Sequence, residues 1–310
     1  MDWKSDIAMA RMRLDGHVRR TPVMMAELPG MSGELSFKFE HLQHTGSFKA
    51  RGAFNTLLSG RVPDAGVVAA SGGNHGAAVA YAARSLGHRA QIFVPELAGP
   101  AKMALIRACG ADLTVVPGVF SNAYAAAQAH EAATGAMQIH AYDAPATVAG
   151  QGTVFAEWED QGLAADTILI AVGGGGLIGG AAGWFGTRRK IVAVEPENAP
   201  TLHRAFAHGP DTEVEVSGVA ANALGARKIG KIGYDLCKAA GVTSVLVDDT
   251  AILAAQALLW QGLRQWVEPG GATALAALAS GAYRPAKGER IAVLICGANP
   301  APDLLQTAPH

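Results

Sequence analysis

The chain has 310 residues, half of them hydrophobic and only 16% charged, with Lys plus Arg at 25 and Asp plus Glu at 26. That length and apolar content exclude a disordered or polyelectrolyte chain, and they suffice for one large α/β domain or a mid-sized one with a smaller partner. The net charge of −1 gives no electrostatic basis for holding nucleic acid or an anionic membrane, while the 38 glycines point to tight turns and to backbone approaching a ligand closely.

Along the chain, the first 21 residues mix Asp2, Lys4, Asp6, Arg11, Arg13 and Asp15 with apolar residues and hold no signal-peptide core. No apolar run reaches the length of a membrane span, residues 168–185 coming nearest. Short β-branched runs then alternate with alanine-rich segments, the pattern of a parallel sheet with crossover helices. The spacing predicts a strand at Val67–Ala70, a helix over 75–86, a strand at 90–94, a helix over 100–109, a strand at 113–116 and a helix over 122–134. A second series follows, with a helix over 147–161, a strand at 167–172 and a helix over 177–186. Strands at 191–194, 245–247 and Ile291–Ile295 and helices over 250–265 and 272–280 complete it, and residues 197–225 read as loops. No linker separates the two series. The expectation is a large domain of residues 1–65 and 144–310 with a small one, residues 66–143, inserted in it. Cys109, Cys237 and Cys296 are odd in number and lack C-x-x-C spacing, which argues against a disulfide framework or a zinc site and for a reducing, cytoplasmic home.

The strand at 167–172 runs straight into Gly173-Gly174-Gly175-Gly176-Leu177 at a helix start. Four glycines let backbone N–H groups turn inward, and a helix N-terminus adds partial positive charge, so a phosphate-like anion is the natural guest. Close packing of strand on helix is the bland alternative. No Gly-Lys-Ser/Thr follows, which excludes a Walker A loop, whereas Glu195, about twenty residues on, leaves a nicotinamide turn open. Upstream, Lys49 lies in Ser47-Phe48-Lys49-Ala50-Arg51-Gly52-Ala53 among small and apolar residues. Desolvation there would favour the neutral amine, the nucleophile that forms a Schiff base. Ser71-Gly72-Gly73-Asn74-His75-Gly76 sits between a strand and its helix, where Ser71, Asn74 and free helix-start N–H groups can hold a carboxylate or a phenolate-like oxygen. Asn74 alone would be an ordinary helix cap, and Cys296, in Cys296-Gly297-Ala298-Asn299, alone a small buried hydrophobe.

With Glu268-Pro269-Gly270-Gly271-Ala272, these five motifs in this order resemble the pyridoxal-phosphate enzymes of the threonine/serine dehydratase and serine racemase group, over roughly residues 20–299. The resemblance implies the two-lobed fold type II, tryptophan synthase β-like, an α/β architecture of open parallel-rich sheets with helices on both faces. It implies pyridoxal 5'-phosphate as cofactor, joined to Lys49 with Phe48 beside it. Gly173, Gly174, Gly175, Gly176 and Leu177 would take the phosphate, Asn74 the ring hydroxyl and Cys296 the pyridine nitrogen. Glu268 would approach ring and substrate. Ser71, Gly72, Gly73, Asn74 and His75 would hold the substrate carboxylate, with Lys49 and Ser71 in catalytic roles. A neutral thiol at the ring nitrogen makes a shallower electron sink than a carboxylate partner, which suits rapid loss of a β-leaving group.

The departures sharpen that expectation. Racemases resembling this chain carry a second serine where Gly72 stands, and glycine delivers no proton. Cation-binding members resemble one another in Glu-Pro-x-x-Ala-x-Asp, but here the run Glu195–Thr201 ends in threonine. No metal is therefore expected, with Glu195 and Ala199 the positions that could still serve one. With the sequence ending at His310, no regulatory domain and no isoleucine feedback are expected. Asn222, in the 218–229 segment, would lie on the substrate side. The function expected is dehydration and deamination of a β-hydroxy-α-amino acid (threonine, serine, 3-phenylserine or 3-hydroxyaspartate) to a 2-oxo acid and ammonia by a homodimer. The alternatives are a racemase, a cysteine-synthase-like β-replacement enzyme, a nicotinamide oxidoreductase and a non-catalytic carrier on the same scaffold.

Overall fold

The computed structural model describes residues 1–31 and 33–299. In chain order it runs α1 (Trp3–Leu14), β1 (Val23–Ala26), β2 (Leu35–Phe39), α2 (Lys49–Leu58), β3 (Val67–Ala70), α3 (Asn74–Ser85), β4 (Ala90–Pro95), α4 (Pro100–Ala108), β5 (Asp112–Val116), α5 (Phe120–Thr134) and β6 (Met137–Gln138). It continues with α6 (Pro145–Asp160), β7 (Thr167–Ala171), α7 (Gly176–Phe185), β8 (Lys190–Pro196), α8 (Thr201–His208), α9 (Ala221–Leu224), α10 (Lys231–Ala239), β9 (Thr243–Val247), α11 (Asp249–Leu263), α12 (Pro269–Ala279) and β10 (Ile291–Ile295).

Two sheets result. The larger has the order β1-β2-β10-β7-β8-β9 and the smaller β5-β4-β3-β6. Among the described residues, every pairing between these strands is parallel except β1 with β2, so ligands belong outside the carboxyl ends of the strands. The apolar runs read as central strands are buried along their whole length, as strands covered on both faces must be: Val67–Ala70, Thr167–Ala171 and Ile291–Ile295 show no exposed residue. Residues 197–225, expected as loops, hold α8 and α9 as well.

The element the site depends on is α2. Its residues Ala50, Ala53, Phe54 and Leu57 pack with Ala77, Ala78 and Ile92 under the small sheet. Its first turn is tied to the large sheet by a buried ionic cluster. Arg51 forks onto Glu40 at 2.7 and 2.9 Å and reaches Glu157 of α6 at 3.0 Å, while Lys38 of β2 meets Glu157 at 2.5 Å. Helix α6 also crosses close to its neighbours, because Gly150 lies against the Arg51 carbonyl and Gly152 against Gly180 of α7. Among the described residues, no helix is long and apolar enough to cross a membrane.

Candidate active site

One cleft gathers most of the residues singled out above. Phe48, Lys49, Asn74, Gly173, Gly174, Gly175, Gly176, Leu177, Glu268 and Cys296 all line it, joined by Tyr142, Ala223 and Leu224. It opens where β7 ends in the glycine run and β10 ends in Cys296. The 46–48 segment is laid against the latter: the Phe48 N–H donates to the Cys296 carbonyl at 3.2 Å and the Ala298 N–H to the Gly46 carbonyl at 2.9 Å.

The glycines are there for space. A Cβ at Gly173 would sit 3.0 Å from Leu224 Cα, one at Gly176 3.0 Å from Tyr142, and one at Gly175 2.8 Å from Ile229. Gly175 also has φ +90°, a left-handed conformation that side chains resist. What remains is a cup floored by backbone, at the start of a ten-residue helix whose first N–H groups have no acceptor within it. An oxyanion matches that donor set.

Lys49 ends in the same cleft. Its amine is desolvated by the walls of the cleft, which pushes its pKa down to about 8, and Nζ donates to the Ala141 carbonyl at 2.8 Å. It also lies 5.2 Å from the centre of the Phe48 ring. Opposite, Asn74 is held from two sides: its Nδ2 donates to Glu268 Oε1 at 2.5 Å, and its Oδ1 accepts from Asn299 Nδ2 at 2.7 Å. Burial raises the Glu268 carboxyl, with the Asn74 hydrogen bond opposing it. Burial together with the Glu268 charge pushes the Cys296 thiol up to about 12, so it is neutral near pH 7, and Sγ faces the Gly270 carbonyl at 3.4 Å.

Ser71, Gly72 and Gly73 form the turn into α3, where the Gly73 N–H donates to Ser71 Oγ at 3.3 Å. Asn222 approaches that turn from the other side, its carbonyl lying 3.5 Å from where a Gly73 Cβ would stand. The His75 side chain turns away from that segment. Its Nε2 faces the Ile139 carbonyl at 2.9 Å in the interior, and burial, with Lys49 nearby, takes its pKa down to about 3. Only its backbone is left for the turn.

Glu195 is engaged elsewhere too. Its two oxygens accept from the Leu202 and His203 N–H groups at 2.7 and 2.8 Å and from Ser244 Oγ at 3.1 Å, so it caps α8. Burial raises its pKa to about 7. Ala199 is fully buried beside it, and Thr201 donates to the Ala226 carbonyl. Among the described residues no three His, Cys, Asp or Glu side chains are grouped to hold a metal ion. The sequence reading missed Tyr142, which lines the cleft, and Asn299, which holds Asn74, and no motif spacing connects Asn299 with Asn74, 225 residues away.

A family model described as pyridoxal-phosphate dependent enzyme matches residues 14–297. The chain belongs to that family. Among its relatives, a phenylserine dehydratase from Ralstonia pickettii is 36% identical over 95% of this chain and 92% of its own. An L-threonine ammonia-lyase from Thermotoga maritima is 34% identical over 95% of this chain and 75% of its own. The solved structure of maize serine racemase superposes with a TM-score of 0.89 at 30% identity, covering 98% of this chain and 96% of the other. The cofactor of this pyridoxal-phosphate-dependent enzyme fits the cleft as built: a cup for a phosphate, a desolvated amine, and a neutral thiol with an amide beyond them.

Proposed function

We propose that this enzyme eliminates the β-hydroxyl of a β-hydroxy-α-amino acid, such as threonine, serine, 3-phenylserine or 3-hydroxyaspartate, yielding a 2-oxo acid and ammonia. The observation that carries the reading is the desolvated Lys49 amine, seated on a carbonyl beside an anion cup. Relatives named for dehydration of phenylserine and deamination of threonine support it. When bound, pyridoxal phosphate supplies the electron sink that stabilises negative charge at the substrate Cα.

The chain's own residues would do the rest. Gly173–Leu177 would hold the phosphate by backbone N–H groups, Asn74 would meet the ring hydroxyl, and Cys296 would face the ring nitrogen without charging it. The Ser71–Gly73 turn and the N-terminus of α3 would bind the substrate carboxylate. Lys49 is the base. With its pKa near 8 a useful fraction is neutral at working pH, and because its N–H donates to Ala141 its lone pair stays free for the Cα proton. An acid on the opposite face is lacking at Gly72, where a Cβ would come 2.5 Å from that of Ala98. That disfavours racemisation. The same reading takes residues 1–65 and 144–310 as the cofactor-binding domain and 66–143 as the substrate-side domain. It extends to a homodimer, as the family resemblance implies, and to the cytoplasm, with which three buried free cysteines are consistent.

The test is Lys49→Ala on folded protein. 2-Oxo acid formation should fall by about 10²–10⁴-fold, together with the visible absorbance of the bound cofactor. Chiral analysis of unreacted substrate should show one enantiomer throughout. Full activity in the variant, or the mirror-image amino acid as main product, would overturn the assignment.

A further inference from the structure

The turn that receives the Lys49 amine is fixed at nearly every peptide. The Ile139 carbonyl faces His75 Nε2 at 2.9 Å. The His140 carbonyl accepts from Thr147 Oγ1 at 3.0 Å. His140 Nδ1 accepts from the N–H groups of Tyr142, at 3.3 Å, and Asp143, at 2.8 Å. Asp143 Oδ1 accepts from the Ile232 N–H at 2.9 Å. The His140 ring stands edge-on to Tyr142, with centroids 4.9 Å apart and planes at 81°. The Ala141 carbonyl is used by none of these bonds, and it is the one the amine meets.

A nitrogen accepting two N–H groups carries no proton, so His140 is neutral here with its hydrogen on Nε2. Its side chain thus does what an aspartate or asparagine does at a turn: it gathers successive N–H groups, and because the Ala141 carbonyl is trans to the Tyr142 N–H across one peptide bond, that carbonyl is turned away from the ring. We propose that His140 is the positioning residue for Lys49, folding the 140–143 turn so that the Ala141 carbonyl seats the lysine amine whenever it is free to take a proton. The proposal rests on Lys49 being the base. Proton transfer needs the two heavy atoms within hydrogen-bond reach, and misplacement by about 1 Å can cost 10²-fold. The seat matters only while the lysine acts as a base, so the loss should fall on kcat and leave substrate binding at the Ser71–Gly73 turn alone.

His140→Leu removes the acceptor at similar bulk, whereas His140→Asn replaces Nδ1 with an amide oxygen at the same reach. On holoenzyme checked for fold and cofactor content, the leucine variant should lose about 10²-fold in kcat with KM within about threefold. Its kinetic isotope effect with Cα-deuterated substrate should rise as proton removal becomes limiting. The asparagine variant should keep kcat within about fivefold of the parent, with the parent's isotope effect. A folded leucine variant with parental kcat overturns the proposal, as does a folded asparagine variant that loses more than that. If leucine does not fold, asparagine decides alone. Absence of lyase activity in the parent enzyme would instead sink the assignment of Lys49 as base, which keeps the two failures apart.

Discussion

Single residues in this site act through the company they keep. Asn74 could rotate about its terminal bond, yet Glu268 takes its Nδ2 and Asn299 supplies its Oδ1 with a donor, so one orientation is selected. Asn299 is itself anchored, its Nδ2 also donating to the Thr45 carbonyl at 2.7 Å. Substituting Asn299→Ala removes the donor that holds Asn74 together with the bond to the Thr45 carbonyl, while the bonds within sheets and helices stay in place. Apo-enzyme titrated with pyridoxal phosphate should then show affinity weakened by about tenfold, equivalent to one neutral hydrogen bond of about 1–1.5 kcal/mol, with a melting temperature lowered by no more than about 5 °C. Unchanged affinity would mean that Asn74 keeps its orientation through Glu268 alone. That residue was hard to foresee from sequence because the bond spans 225 positions, whereas Gly173–Gly176 announce their own chemistry.

Elements show where sequence patterning carries information and where burial hides it. The alanine-rich helices and the uniformly apolar strands were legible to within a few residues because their periodicity matches their burial. Strand β2 was not: Leu-Ser-Phe-Lys-Phe alternates as if half-exposed, yet all five residues are buried. The reason is the ionic cluster, which lets Lys38 lie inside by pairing it with Glu157. Helix α1 escaped notice because only Ile7, Ala10 and Leu14 of its twelve residues are buried, a narrow stripe among charges. The cluster also gives α2 a measurable signature. Burial would raise the Glu40 carboxyl, but the charge and hydrogen bond of Arg51, with Lys38 beyond, bring it below its ordinary 4.5. A carboxylate whose pKa is depressed on folding adds stability that is fully present above 4.5 and is lost as pH falls through the folded value. Arg51→Met leaves Glu40 and Glu157 sharing Lys38 alone. Denaturant unfolding at neutral pH should show a loss of about 3–5 kcal/mol, and the gap to the parent should narrow as the solution is acidified below the carboxylate range. A gap independent of pH would mean that packing of the arginine stem, rather than its charge, secures the helix.

At the scale of the whole molecule, α6 joins what the two sheets bring to the cleft. On one side it meets α2, which carries Lys49, and on the other α7, which begins at the glycine cup. The contacts are backbone against backbone. A Cβ at Gly150 would lie 2.7 Å from the Arg51 carbonyl and 2.8 Å from Gly52 Cα, and one at Gly180 2.6 Å from the Gly152 nitrogen. Sequence reading had the helix but not the reason for its glycines, since Ala-Gly-Gln-Gly-Thr says nothing of which neighbours come close. Neither obstacle is the end of a flexible side chain, so a methyl group there must push a helix bodily. Gly150→Ala should therefore move α2, and with it the lysine, relative to the phosphate cup, whereas Gly60→Ala meets nothing within 4 Å. We expect Gly60→Ala to leave stability within about 0.5 kcal/mol of the parent. Gly150→Ala should cost about 1–3 kcal/mol in denaturant unfolding and lower both cofactor affinity and turnover, although it touches neither ligand. Loss of stability with parental kcat and parental cofactor affinity would show that the seam holds the protein together without setting the distance between amine and cup.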